Sequence, residues 1–438
     1  MTRLRDAPDR GRRAGGSPRD PYRDRNDDAS GTGPPIFQVV ALVVLVAVAF
    51  ATLSLSSGRL PFAAGGNGNG APGGIVSRTP TPSGVVVVPD DPRAKVPGTI
   101  VYAKDGNIWL QSGSSATQLT TAGTDSMPSF SADGSSVYFI RTRIQPGLWP
   151  AGDGIKHYVL TVPSVMRIAA AGGEATSLFD GLVDPAGKYV WSGWLREPVL
   201  SPDGATIALV SDLPSPDRSD VLLQLLGVKS GSLVNLHLAE TQPLGHQDPA
   251  WRPDGQLLLY VRNDHDPDDT TKATPAIWAY DPATKKAKAL TGPGYLHPAW
   301  SRDGRWIAAT RTSAFGTDIV ILDAATGAEV LKVTRDGNSW APAWSPMGDA
   351  IAFLHLNGQV VDLRMAPLSG SGPGWTVGEG LDLTSGAGLD SVSRPSWFVP
   401  ADQLPPLPTP TPSPTPSGSG GAAGSGAIGS PKPSASTK

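Results

Sequence analysis

The sequence predicts an all-β protein: a six-bladed β-propeller of four-stranded blades, preceded by one transmembrane helix and flanked by disordered tails. Three observations carry the prediction. A short phrase recurs, as Pro298-Ala299-Trp300-Ser301-Arg302-Asp303-Gly304 and in variants at Pro128, Pro198, Pro249, Pro342 and, cut short, Pro395. The prolines are 70, 51, 49, 44 and 53 residues apart, close to the period of a propeller blade. The phrase also reads mechanically. Proline suits the first residue of a strand, Ala-Trp-Ser is a short inner strand, and Asp-Gly supplies the positive φ of a tight turn. An apolar run follows each turn (Ser136–Ile140, Thr206–Val210, Leu257–Val261, Trp306–Ala309, Ala350–Leu354), continuous rather than alternating, as in a strand covered on both faces.

The chain of 438 residues begins with a polar arm, 1–35, that carries eight arginines and six aspartates and has nothing to bury. Residues 36–55 (IFQVVALVVLVAVAFATLSL) then run without a charge. As a helix this stretch spans roughly 30 Å, the thickness of a bilayer core. Arginines precede it and only Arg59 lies close behind, which predicts a single-pass cell-membrane protein with a cytoplasmic N-terminus and an extracytoplasmic propeller. The rival is a cleaved signal peptide, whose apolar region is shorter, about 7–15 residues. Residues 56–97 form a Gly/Pro-rich linker, and 400–438 a Pro/Thr/Ser/Gly-rich tail.

Between them, 98–399 reads as the folded domain. Its first block has strands at 99–103, 108–110 and 117–119 but no Pro-x-Trp inner strand. Its last block, 394–399, is an inner strand with no followers. Joining the two closes a ring of six blades and removes the free sheet edges. Outer strands are expected at 165–169, 221–226, 277–280, 319–322 and 360–365.

These residues resemble the TolB-like propellers of bacterial envelopes. The likeness rests on the Pro-Ala-Trp-Ser-x-Asp-Gly phrase, the strand Asp318-Ile319 to Asp323, and the Leu-Thr strand ends Leu119-Thr120 and Leu290-Thr291. It covers about 300 residues. No small α/β domain precedes the propeller here, as one does in TolB, so a place in the Tol–Pal system is not carried over. The resemblance implies a non-catalytic protein-interaction or scaffold module of the envelope. The alternatives are a glycan or cell-wall ligand-binding domain and a metal-dependent, lactonase-like enzyme.

In such a fold, loops from strand two to three and from strand four to the next strand one open on one face. Here that face receives the long connections 143–163, 180–197, 212–220, 264–275 and 385–394. Two candidate sites lie there. Trp149, His157, Tyr158, Tyr189, Trp191 and Trp194 offer amphipathic rings for a peptide or glycan; the plain alternative is a small core that folds the loops down. The residues before the repeat prolines include Glu197, Asp248, His297 and Arg394 at the channel mouth. They suggest either a cation site or a polar mouth closed by its own ion pairs. Asp264–Asp269 alternates carboxylates but lacks the glycine and closing glutamate of a calcium loop.

No cysteine is present, which excludes disulfides, thiolate metal sites and a cysteine nucleophile. The net charge of −3 gives no footprint for nucleic acid. G-x-S-x-G, H-E-x-x-H and phosphate-loop motifs are missing, so no enzyme, cofactor or resident metal is expected. The partner expected is an envelope protein or a cell-wall component.

Overall fold

A computed structural model describes residues 91–407, apart from 152–153, 184–188, 215–219, 239–244, 271 and 371. Residues 36–55 lie outside the described residues, as do the arm and most of the linker and tail. Among the described residues no helix is long and apolar enough to cross a membrane.

The described residues up to Leu404 form six blades. Blade 1 holds β1 (Thr99–Lys104), β2 (Asn107–Ser112) and β3 (Ser115–Gln118); blade 2 holds β4 (Asp125–Phe130), β5 (Ser136–Ala151), β6 (Gly154–Ala169) and β7 (Thr176–Asp180). A small hairpin, β8 (Leu182–Val183) and β9 (Trp191–Ser192), leads to blade 3, β10 (Arg196–Leu200), β11 (Thr206–Ser211), β12 (Leu222–Gly227) and β13 (Leu233–Asn235). Blade 4 is β14 (His246–Trp251), β15 (Leu258–His265), β16 (Ala273–Asp281) and β17 (Lys286–Ala289). Blade 5 is β18 (Tyr295–Trp300), β19 (Trp306–Ser313), β20 (Gly316–Asp323) and β21 (Glu329–Lys332). Blade 6 is β22 (Ser339–Trp344), β23 (Ala350–Asn357) and β24 (Val360–Ser369), against which β25 (Thr376–Val377) and β26 (Leu381–Asp382) both pair. The last strand, β27 (Ser396–Phe398), joins the inner edge of β1, so the ring closes as expected. Trp397 seals the join: its ring is buried and its Nε1 donates to the carbonyl of Pro97 at 2.9 Å.

The continuous apolar strands are explained by packing on both faces. Six buried clusters exist, one between each pair of neighbouring blades. In β1, Ile100 and Tyr102 face blade 6, while Val101 and Ala103 face blade 2. Alternation still operates, but both sides are apolar because both are covered.

The repeated polar letters are pins. In the turns after the inner strands of blades 2, 3 and 5 the serine hydroxyl donates to the aspartate two residues on, as in Ser301 to Asp303 at 2.6 Å. The same hydroxyl accepts the N–H that opens the next strand, Trp306 N at 3.0 Å, while Gly304 turns the chain at φ 67. The Leu-Thr strand ends, and Val333-Thr334 in blade 5, work similarly. Thr120, Thr291, Thr334 and Thr384 each accept, through Oγ1, the N–H of a residue in the third strand of their blade (second in sequence for blade 1) at 2.9–3.0 Å. Asp318 and Asp362 in turn accept the hydroxyl protons of Thr334 and Thr384.

One expected loop is not a loop. The connection 143–163 continues the ladder of β5 and β6 by ten residue pairs, from Thr142↔Pro163 to Ala151↔Gly154. The neighbouring strands stop earlier, since β4 pairs with β5 only as far as Arg141 and β7 with β6 only from Ser164 to Arg167. The excess is a two-stranded arm roughly 34 Å long. Pro146, Gly147 and Pro150 hid it in the sequence, because those residues ordinarily mark turns.

Candidate functional site: the channel mouth and the blade-2 arm

The residue before each repeat proline has an unusual backbone. Met127, Glu197, Asp248, His297 and Ala341 all take φ between 51 and 58, and each sits where the pairing of its inner strand with the next slips by a bulge. A bulge re-aims a side chain out of the plane of its sheet. Here it brings Glu197, Asp248 and His297, from three consecutive blades, to one mouth.

What the ring does there is visible in its hydrogen bonds. The Glu197 carboxylate accepts the backbone N–H of Asp248. The Asp248 carboxylate accepts the N–H of His297 at 2.9 Å. Thr310 Oγ1 accepts the N–H of Ala341 at 3.0 Å and lies 3.0 Å from His297 Nδ1. Ser393 Oγ accepts the N–H of Met127 at 2.8 Å. Four of the five strained residues are thus latched by a side chain from elsewhere in the ring. Arg394, two residues before the closing strand β27, reaches across the axis to blades 4 and 5. It donates to the carbonyls of Pro249 at 2.9 Å and Pro298 at 3.4 Å, and its Nε stands 3.5 Å from Asp248 Oδ1.

Burial dominates the electrostatics. Burial, with the adjacent Asp248 charge, holds the Glu197 carboxyl above its ordinary range. Burial also holds His297 below its ordinary value, against the pull of Asp248. Behind the mouth lies an axial cavity of about 240 Å³ lined by all six blades, with Arg394 in its wall. Among the described residues no three His, Cys, Asp or Glu side chains are grouped to hold a metal ion. In the acidic loop, Asp264 pairs with Arg262, Asp269 with Lys272, and Asp266 accepts the N–H groups of Asp268 and Asp269.

The aromatic candidates fall into three places. Trp149 meets Tyr189 edge-on and Trp191 at a tilt, with centroids 5.2 and 4.9 Å apart, and Tyr158 meets Trp191 edge-on at 5.4 Å. These four rings join the arm to the segment leading out of blade 2, which Leu148 and Val190 also tie by two backbone hydrogen bonds. Gly147 makes room, since a Cβ there would stand 2.4 Å from Leu160. His157 lies on the opposite face of the arm, in register with Leu148. Trp194 stands apart with its ring exposed, its backbone N–H donating to the buried Asp212 at 2.7 Å. Burial pushes the Asp212 carboxyl up to about 6.

Sequence reasoning missed three parts of this arrangement. Thr310 and Ser393 act as latches, and Arg143 holds the root of the arm by a two-pronged pair with Asp180. The arm's second face was missed as well. Ile144, Pro146, Val159 and Ile155 share the face turned away from the aromatic cluster, with Ile144 68 %, Ile155 61 % and Val159 79 % exposed. Alternation within 144–159 was the available signal for that face.

The chain is similar to solved propellers. A TolB structure from Agrobacterium tumefaciens aligns at TM-score 0.47 and 16% identity, covering 70% of this chain and 95% of the other. TolB from Acinetobacter baumannii aligns at TM-score 0.47 and 16% identity, covering 68% of this chain and 66% of that one. Oligogalacturonate lyase from Vibrio parahaemolyticus aligns at TM-score 0.40 and 12% identity, covering 62% and 91%. The likeness is one of fold. No family model and no curated protein matches the chain.

Proposed function

We propose that this chain is a membrane-anchored, extracytoplasmic propeller that serves the cell envelope as a non-catalytic interaction module, with its partner docking on the blade-2 arm. The observation that carries the reading is where apolar surface is left open. Of the nine large hydrophobic residues exposed among the described residues, Ile144, Ile155 and Val159 share one face of the arm, and Tyr158 lies on its other face. Exposed apolar surface gathered in one place marks an interaction site more often than scattered residues do. The channel mouth, by contrast, spends its carboxylates and its guanidinium on neighbouring blades. The uncharged run 36–55 supports the anchor, and the arginines before it support the orientation.

The open rings of Tyr158 and Trp194 favour a second reading, a glycan in place of a protein partner. Capture by the full chain from solubilised envelope, run beside binding to purified cell-wall glycan, separates the two. In either case Trp149→Ala with Trp191→Ala, which unprops the arm, is expected to weaken capture roughly thirtyfold while the propeller's thermal transition stays in place. Unaltered capture by that variant removes the arm from the proposal.

A further inference from the structure

Arginines that the fold draws inward are mostly matched. Arg141, Arg262, Arg364 and Arg394 meet carboxylates, and Arg311 donates to the carbonyls of Pro293 and Gly294. Arg196 is the exception. It opens β10 on the insertion face, beside the channel mouth, with its side chain 27 % exposed. Among the described residues no oxygen accepts a hydrogen bond from its guanidinium. The nearest carboxylate oxygen, Glu197 Oε1, lies 3.8 Å from Nη2, beyond hydrogen-bonding distance. Nε is enclosed without an acceptor, whereas the two terminal nitrogens are not enclosed.

Glu197 is also a weak counter-charge. Burial and the adjacent Asp248 hold its carboxyl above the ordinary range, and it already accepts the Asp248 N–H. The Arg196 cation is therefore partly stripped of water on one side and open on the other. A charge in such surroundings attracts an anion more strongly than one standing free in solvent.

Two residues earlier stands the exposed ring of Trp194. Exposure alternates here: Trp194 is open, Leu195 is buried in the core between blades 2 and 3, and Arg196 is half-buried. That alternation sets Trp194 and Arg196 on one side of the chain, roughly 7 Å apart along it. Both backbones are held. The N–H of Trp194 donates to Asp212 at 2.7 Å, and Arg196 pairs in register with Val210 of β11.

Each half of the pair selects a chemistry. A guanidinium with its terminal nitrogens open takes a carboxylate or phosphate through two parallel bonds. An open indole offers a broad apolar face with a polar edge, which suits the C–H face of a pyranose. We infer that Trp194 and Arg196 form a binding site for an acidic glycan, with a sugar ring against the indole and the anionic group of that sugar or its neighbour on the guanidinium. An extended peptide fits less well. One edge of β10 pairs with β11 and the other faces the channel axis, so this stretch has no open edge on which a strand could add. The inference rests on the glycan reading of this face and leaves the arm to a protein partner.

Titration calorimetry on the full chain in detergent tests it. The probes are a glucuronate-containing oligosaccharide, the same oligosaccharide with its carboxyls reduced to alcohols, and a glycerol-phosphate polymer. At least one anionic probe is expected to bind roughly tenfold tighter than the reduced one, and the tighter of the two names carboxylate or phosphate as the group read. Arg196→Gln is expected to erase that preference without lowering the thermal transition, since the side chain has no hydrogen bond to lose. Arg196→Lys is expected to keep part of it, and Trp194→Ala to weaken charged and reduced probes alike. Equal binding of charged and reduced probes, or an undiminished preference in Arg196→Gln, overturns the inference. Loss of binding in Trp149→Ala with Trp191→Ala but not in Arg196→Gln puts the glycan on the arm, which overturns the acidic site and spares the glycan reading. A poly-glutamate peptide bound as tightly as the oligosaccharide overturns the glycan as the ligand class.

Discussion

The channel mouth is polar and the blade-2 arm apolar, yet the contrast that matters is that one is complete and the other is not. At the mouth, Glu197 and Asp248 accept backbone protons from the next blade, and Arg394 crosses to two carbonyls and a carboxylate. On the arm, four rings fill one face while the other face stays unfilled. Clustered polar residues at a cavity mouth are a customary first place to look for chemistry. Here the cavity's polar lining is occupied in holding the ring together, and the surface free to act is apolar and carried on strands.

The strongest way to break this comparison is to open the ring. Ending the chain before Arg394 removes β27, Trp397 and the arginine together. Its unfolding free energy is expected to fall by at least about 3–5 kcal/mol, the cost of one buried aromatic alone. Ending the chain after Leu407 is expected to change it little, as chemical denaturation of the two truncations would measure. Asp248→Ala comes next: it leaves the His297 N–H without its acceptor and the Arg394 charge without its partner. The expected loss is about 3 kcal/mol or more, by the same measurement, with capture unaffected once the protein is folded.

Acid offers a smaller, graded probe. Burial, helped by Arg262, holds His246 down at about 3, while an unfolded histidine titrates near 6.5. The folded state therefore takes up the proton later than the unfolded one. The stability this residue contributes is full above pH 6.5 and is lost as pH falls toward 3, at roughly 1.4 kcal/mol per pH unit. Asp212, raised to about 6, works the other way: its contribution is lost as pH rises from 3.8 to 6. His246→Asn is expected to flatten the stability curve between pH 6.5 and 5, and Asp212→Asn to raise stability at pH 7. Denaturation at several pH values reads both.

The smallest effect sharpens the contrast from the far side. Lys285→Ala with Lys286→Ala alters the turn after Asp281, away from both the mouth and the arm. It is expected to change stability by less than about 0.5 kcal/mol and to leave capture as it was.

The fold could be read from the sequence because its signals repeat. One Pro-Ala-Trp-Ser-Arg-Asp-Gly phrase is ambiguous, but six at blade spacing are not, and the apolar strands follow from the covering of both faces. The closing of Arg394–Val399 onto the first block was legible because each lacked what the other had. Two things were not. The arm's prolines and glycines imitate a loop, and only tertiary pairing shows that Pro146 lies on an edge where its missing N–H costs nothing. The ring position could be located, but not its positive φ. Glutamate, aspartate, histidine, methionine and alanine rarely adopt that conformation, and hydrogen bonds from distant Thr310 and Ser393 hold two of the five there.

The closing strand also has a consequence for how the protein is made. Strands β1 to β3 leave the ribosome first, yet their blade waits for β27, almost 300 residues later. Arg394, which crosses the mouth, arrives just before that strand. A chain released before Arg394 therefore exposes the inner edge of β1 and leaves Asp248 without its cation, whatever else has folded. Joining the first strand to the last makes closure a test that synthesis has passed β27: a chain stopped short of it cannot cover the inner edge of its own first strand.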